Sequence, residues 1–134
     1  MKTVDVVSWI VFKDKKFLVE KRSSKEEIDP NLVCLPSGHV EPHETKLKAL
    51  KREMGEELGI KLNKAKFIKK DFWLASNGEK QNVYYYLILK YEGVPACKTE
   101  NQIFWMENVN DIDAVIDRKV IEKIRDKSKF LKSY

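Results

Sequence analysis

Between Gly38 and Ile60 the chain reads GHVEPHETKLKALKREMGEELGI, five glutamates (Glu41, Glu44, Glu53, Glu56, Glu57) and one arginine, Arg52, in 23 residues. Carboxylates bunched this closely repel one another and hold protons unless a cation neutralises them. A set of carboxylate oxygens without thiolates suits Mg²⁺ or Mn²⁺ rather than Zn²⁺. Such ions bridge protein carboxylates to substrate phosphates. The plain alternative is a solvated helix face with ordinary ion pairs.

Spacing bears on the choice. On a helix over Thr45 to Leu58, at about 100° per residue, Leu47, Leu50, Met54 and Leu58 form an apolar stripe. Glu53, Glu56 and Glu57 then fall within an arc of about 100° to one side of that stripe and can converge. Arg52 lies one turn before Glu56 and can pair with it. Gly59 suits the left-handed residue that ends a helix. Gly55 costs such a helix about 1 kcal/mol relative to alanine, and nothing local explains it.

The fixed residues are Gly38, Glu44, Arg52, Glu53, Met54, Glu56, Glu57, Gly59 and Ile60. They follow G-x5-E-x7-R-E-U-x-E-E-x-G-U, where U is a bulky aliphatic residue, and the segment thereby resembles the signature box of the Nudix hydrolases. The resemblance implies a MutT-type α/β/α sandwich that hydrolyses a diphosphate bond in a nucleoside diphosphate derivative with Mg²⁺ or Mn²⁺. By position it implies Glu53, Glu56, Glu57 and the carbonyl of Gly38 as metal ligands. Arg52 would orient a box glutamate, and Glu44 and Gly59 would hold the loop–helix–loop together. The general base would be either Glu53 or an acidic residue of a later loop, here Glu100. Arg22 resembles a substrate-binding arginine, and Tyr84, Tyr85 and Tyr86 could include a base-stacking residue, with Tyr84 and Tyr86 the candidates. Two departures stand out: Ser37 and His43 replace glycines common in relatives. No proline follows the box at the spacing linked to ADP-ribose specificity, which points away from that substrate.

The elements that must position this segment read as a single α/β domain over residues 1–134, a mixed sheet with two main helices. Val4 to Phe12 is apolar on both alternating faces, as a strand covered on both sides would be. After Lys13–Lys16, a second strand from Phe17 to Arg22 should pair with the first as a hairpin. Ser23 to Asn31 is an aperiodic polar loop, and Leu32 to Leu35 a short apolar run. Ala65 to Leu74 and Gln81 to Tyr91 read as strands joined at Asn77-Gly78, a strong hairpin signal. Ile103 to Met106 is a further short strand. Val120, Ile121, Ile124 and Leu131 suit a C-terminal amphipathic helix with Asp117 as its cap.

Composition bounds the rest. Hydrophobic residues make up 43% and charged residues 35% of the 134, too much apolar material for a disordered chain. No apolar run reaches the roughly 20 residues of a membrane span. No signal-peptide pattern opens the chain, so a cytoplasmic location is expected. Cys34 and Cys97 lack metal-ligand spacing and read as free thiols. The net charge of +5 favours an anionic partner such as a polyphosphate. No one element reads as interleaved lysines and aromatics, so no stable nucleic-acid complex is expected.

The expectation is a metal-dependent hydrolase of a nucleoside triphosphate, oxidised or not, or of a dinucleoside polyphosphate. The alternative is a non-catalytic module that binds nucleotides or RNA. Monomer and homodimer stay equally open.

Overall fold

The computed structural model describes residues 3–126. In chain order the elements are β1 (Thr3–Ile10), β2 (Phe12–Lys13), β3 (Lys16–Lys21), β4 (Val33–Cys34), β5 (Ser37–His39), α1 (Lys46–Leu58), β6 (Lys61–Leu74), β7 (Lys80–Glu92), β8 (Gln102–Met106), a 3₁₀ turn (Val109–Asp111) and α2 (Val115–Asp126). They build two four-stranded sheets. One runs β5-β1-β7-β6, and the other runs β2-β3-β4 with β8 also paired to β3.

β1 is the spine of the larger sheet. It lies parallel to β7, Val6 opposite Val83 and Ser8 opposite Tyr85, and antiparallel to β5, Val7 opposite Gly38. Its alternation reads out as expected for a strand covered on both faces. Val6 and Ile10 enter a core with Phe17, Val19, Leu35, Tyr85 and the α2 residues Val120, Ile121 and Ile124. Val7, Trp9 and Val11 enter the opposite core with Leu18 and the α1 residues Ala49, Leu50, Met54 and Leu58. Helices therefore cover both faces, and the architecture is an α/β/α sandwich.

Four sequence expectations need correction. The first two strands are not a full hairpin: only Phe12 and Lys13 pair with Phe17 and Lys16, because the chain changes sheets at Val11. Parallel pairing to β7 occupies the edge of β1 that a hairpin would need. β6 begins at Lys61 rather than Ala65, its lysine-rich start being held by register with β7 across bulges near Leu62 and Lys64. Leu47 is exposed, and Ala49 takes its expected place in the core. Asp117 is not a cap; it sits inside the first turn of α2, buried, accepting from the backbone N–H of Leu35 at 2.9 Å and from the Tyr85 hydroxyl. Leu131 lies outside the described residues.

α1 itself starts and stops for identifiable reasons. Thr45 has extended backbone and its hydroxyl accepts from Lys48 N–H at 3.2 Å. Gly59, at φ 67°, closes the helix in the left-handed region, with its N–H on the Gly55 carbonyl. His43 also has positive φ, 65°, a conformation that glycine adopts without steric cost. Nothing in the structure explains Gly55.

Candidate active site

A cavity of about 330 Å³ opens beside the larger sheet on the face away from α1's apolar stripe. Its walls come from several elements. β1 supplies Val6 and Ser8, β5 supplies Gly38 and His39, and α1 supplies Glu53 and Glu57. β6 and β7 supply Trp73, Gln81 and Val83, and the loop after β3 supplies Glu26, Ile28 and Asp29. Arg22 lines it as well.

Gly38 sets how close the loop and helix approach. A β-carbon there would lie 2.2 Å from Cδ of Glu53, so any other residue would collide with that carboxylate. Arg52 then locks the helix to the loop. Its Nε and Nη2 donate to the two oxygens of Glu44 at 2.8 and 2.9 Å, a bidentate pair. Nη2 also donates to the His39 carbonyl at 3.0 Å, while Nη1 reaches Glu53 at 2.7 Å and Glu56 at 3.2 Å. Glu44 reaches back to the Glu41 N–H at 3.0 Å. The hydrogen bonds from Arg52, with that backbone donor, hold the Glu44 carboxyl down at about 2.

Glu53 and Glu57 behave in the opposite sense. Burial pushes Glu57 up to about 9, and the neighbouring charges of Glu20 and Glu53 push the same way. Burial also raises Glu53, outweighing Arg52. Glu57 Oε2 is buried without a hydrogen-bond partner. An orphaned carboxylate oxygen in an acidic cavity needs a proton or a cation.

Among the described residues, no three carboxylate, imidazole or thiolate groups converge closely enough to hold a metal as they stand. Arg52 instead pairs with both Glu53 and the exposed Glu56. The donor chemistry nevertheless fits a hard divalent cation. The groups are carboxylate oxygens, two of them with raised proton affinity, and the Gly38 backbone sits against Glu53.

The remaining expected residues separate. Arg22 reaches the cavity, but its donors are partly spent on the loop: Nε to the Ile28 carbonyl at 2.8 Å and Nη2 to Glu26 at 3.0 Å. Glu100 does not reach the cavity. It is exposed and lines an adjoining shallow pocket that shares Glu26 and Ile28 with the cavity, while its neighbour Asn101 turns inward and accepts from Ser23 N–H at 2.7 Å. Tyr84 and Tyr86 point from β7 to the α1 face, away from the cavity, because side chains alternate along a strand. Tyr85 points the other way and is buried.

Three contributors escaped the sequence reading. Glu20 is a buried carboxylate 3.6 Å from Arg22, pushed up to about 7 chiefly by burial. A glutamate amid the apolar residues of β3 is its only sequence signal. Asp29, at φ 48°, accepts from the Trp73 indole at 2.9 Å and from Ser76 N–H at 2.8 Å, fixing the loop to the far end of the cavity. Asp117, described above, closes the floor. Neither aspartate had a partner within reach in sequence.

The family model for the NUDIX domain matches residues 1–124. A similar protein is the "8-oxo-dGTP diphosphatase" of Buchnera aphidicola subsp. Schizaphis graminum, 30% identical over 95 residues, 69% of this chain and 68% of that one. Another is the "CTP pyrophosphohydrolase" of Escherichia coli, 35% identical over 68 residues; there the match spans half of each protein, 51% of this chain and 50% of that one. Among solved structures, a MutT NUDIX hydrolase from Burkholderia pseudomallei superposes with a TM-score of 0.79 at 24% identity, covering 91% of this chain and 98% of that one. The MutT protein of Methanosarcina mazei Go1 superposes with a TM-score of 0.80 at 19% identity, over 95% and 96% of the two chains. These two likenesses concern the fold.

Proposed function

Because the chain belongs to the Nudix hydrolase family, and is an enzyme acting on phosphorus anhydrides of nucleotide derivatives, we propose that it is a Mg²⁺- or Mn²⁺-dependent pyrophosphohydrolase of a nucleoside triphosphate. Residues 1–134 would act as one hydrolase domain. The observation that carries this reading is the orphaned oxygen of Glu57 facing Glu53 in a cavity of nucleotide-fragment size, about 330 Å³.

Glu53, Glu56, Glu57 and the Gly38 carbonyl are the proposed metal ligands. Bound there, the ion supplies neutralisation of the diphosphate and a lowered pKa for the attacking water. The protein's own groups do the rest. Arg52 fixes the orientation of Glu53 through a 2.7 Å hydrogen bond, and Glu44 fixes Arg52. Glu53 is the proposed general base, since it lies in the cavity wall with a raised proton affinity. Glu100 is left out of the mechanism because it faces another pocket. Arg22 would meet a phosphate, and the Trp73–Asp29 end would bound the nucleoside.

Two similar proteins named for mononucleotide chemistry, an 8-oxo-dGTP diphosphatase and a CTP pyrophosphohydrolase, favour the mononucleotide. Release of pyrophosphate or phosphate would be followed with Mg²⁺ over CTP, dGTP, 8-oxo-dGTP and a dinucleoside tetraphosphate, with products identified. Turnover of one triphosphate well above the others is expected, and abolished in Glu57→Gln. Turnover of the dinucleoside alone, or full activity in Glu57→Gln, would overturn the reading.

A further inference from the structure

The face of the larger sheet opposite the cavity is only partly covered by α1. Beyond the helix N-terminus it carries Phe67, Phe72 and Leu74, which are 50%, 50% and 58% exposed. The β6–β7 register sets Phe67 opposite Tyr86, Lys70 opposite Tyr84, Phe72 opposite Asn82 and Leu74 opposite Lys80. Residues directly opposite on antiparallel strands share a face, so all of these lie on one surface. The Phe67 ring is 5.5 Å from that of Tyr86 and 6.3 Å from that of Tyr84. Lys46, from the start of α1, holds its ammonium 4.3 Å over Tyr84, and Lys70 holds its own 5.6 Å from the same ring.

This is a patch of rings, Phe67 and Phe72 half exposed, Tyr84 partly so and Tyr86 buried, edged by Lys46, Lys70 and Lys80 with Asp5 the carboxylate beside Asn82, and assembled from α1, β6 and β7. It is what a single strand of nucleic acid meets on proteins that bind it: flat faces for bases and cations for the backbone. Charge complementarity supports that occupant. The cavity on the other face gathers Glu26, Asp29, Glu53, Glu57 and Asp117, while the chain as a whole is +5, so the surplus of lysine lies elsewhere. A second copy of the chain fits less well. A two-fold contact through this face would bring the lysine-edged rings of one copy against those of the other, like charge against like.

We infer that this face is a second binding site, which holds a short run of single-stranded nucleic acid with bases on Phe67 and Phe72 and phosphates beside Lys46, Lys70 and Lys80. No single element carries interleaved lysines and aromatics, which is why the sequence points away from such a complex. The platform becomes visible only when three of them are placed together. This inference does not depend on the assignment of the cavity.

The test is fluorescence anisotropy with a labelled oligo(dT) of about 12 nucleotides, in EDTA, on the full chain. Wild type should bind, with log K falling against log salt with a slope of about −2, three phosphate contacts at about −0.7 each. Phe72→Ala and Lys70→Glu should each weaken binding by about tenfold while leaving nucleotide hydrolysis unchanged, which also establishes that they fold. Glu57→Gln should bind as wild type does, and excess CTP should not displace the oligonucleotide. The inference is overturned by wild-type affinity in both surface variants, by displacement with CTP, or by no binding at all. Capture by anionic vesicles without oligonucleotide binding would also overturn it. So would a wild-type dimer that Phe72→Ala dissociates and that does not bind the oligonucleotide.

Discussion

Gly38 and Glu53 are packed so closely that a single β-carbon separates a working arrangement from a collision. That atom, at 2.2 Å from Cδ of Glu53, would force either the β5 backbone or the carboxylate to move. Gly38→Ala should therefore lower kcat by about a hundredfold, the scale for an ångström of misplacement in a catalytic group. Melting temperature should change little, because Gly38 lies at the edge of the sheet. Wild-type kcat in this variant would remove Glu53 from the mechanism.

Arg52 holds Glu44 through a planar two-point contact that an ammonium cannot copy. Arg52→Lys should cost about 10- to 100-fold in Mg²⁺ affinity or activity, as for other groups that orient ligands. Titrating activity against Mg²⁺ measures it. An unchanged Mg²⁺ dependence would reduce Arg52 to a surface ion pair.

The same contact makes an acid-stability prediction. Glu44 is held at about 2 against an ordinary value of 4.5, so the folded state binds this proton less readily than the unfolded chain. Its stabilisation is present above 4.5 and is lost as pH falls from there toward 2. Urea midpoints measured across that window should fall less steeply for Glu44→Gln than for wild type.

Asp117 gives the opposite sign in a different window. Burial pushes it up to about 6 from 3.8, against hydrogen bonds from Tyr85 and Leu35. A raised folded-state value means stability that is complete below 3.8 and declines as pH rises through 6. Asp117→Asn should flatten the urea-midpoint profile between those limits. It should also lower stability overall by about 1–3 kcal/mol, because amide geometry cannot accept both donors.

Metal should stabilise the fold through Glu57. At a hundredfold excess over Kd, Mg²⁺ should add about 2.7 kcal/mol, read as a rise in melting temperature that EDTA reverses. Glu57→Gln should lose most of that rise. A full rise in the variant would place the ion elsewhere.

Much of the fold was legible because periodicity is local. β1 announced its two covered faces, and α1 announced its stop at Gly59 and most of its stripe, whereas Thr45, read as helical, is the cap. Leu47 was misassigned because helical spacing gives an angle but not what lies opposite it: in the first turn of α1 it is exposed. The supposed first hairpin failed for a related reason. Val11 can pass between sheets, and nothing near it in sequence says that β7, some 70 residues on, takes the edge of β1.

The sequence by itself determined the family. Gly38, Glu44, Arg52, Glu53, Glu56 and Glu57 lie within 20 residues, and a loop followed by one helix brings such neighbours together whatever surrounds them. Tertiary structure alone decided the cavity's other walls, Asp29 clamped to Trp73 and Asp117 tied to Tyr85 32 positions away, and set the buried Glu20 3.6 Å from Arg22. It also turned Glu100 outward and sent Tyr84 and Tyr86 to the far face. A side chain's type is local, but the direction it faces depends on which strands its own strand pairs with. That pairing is set by contacts distant in the chain.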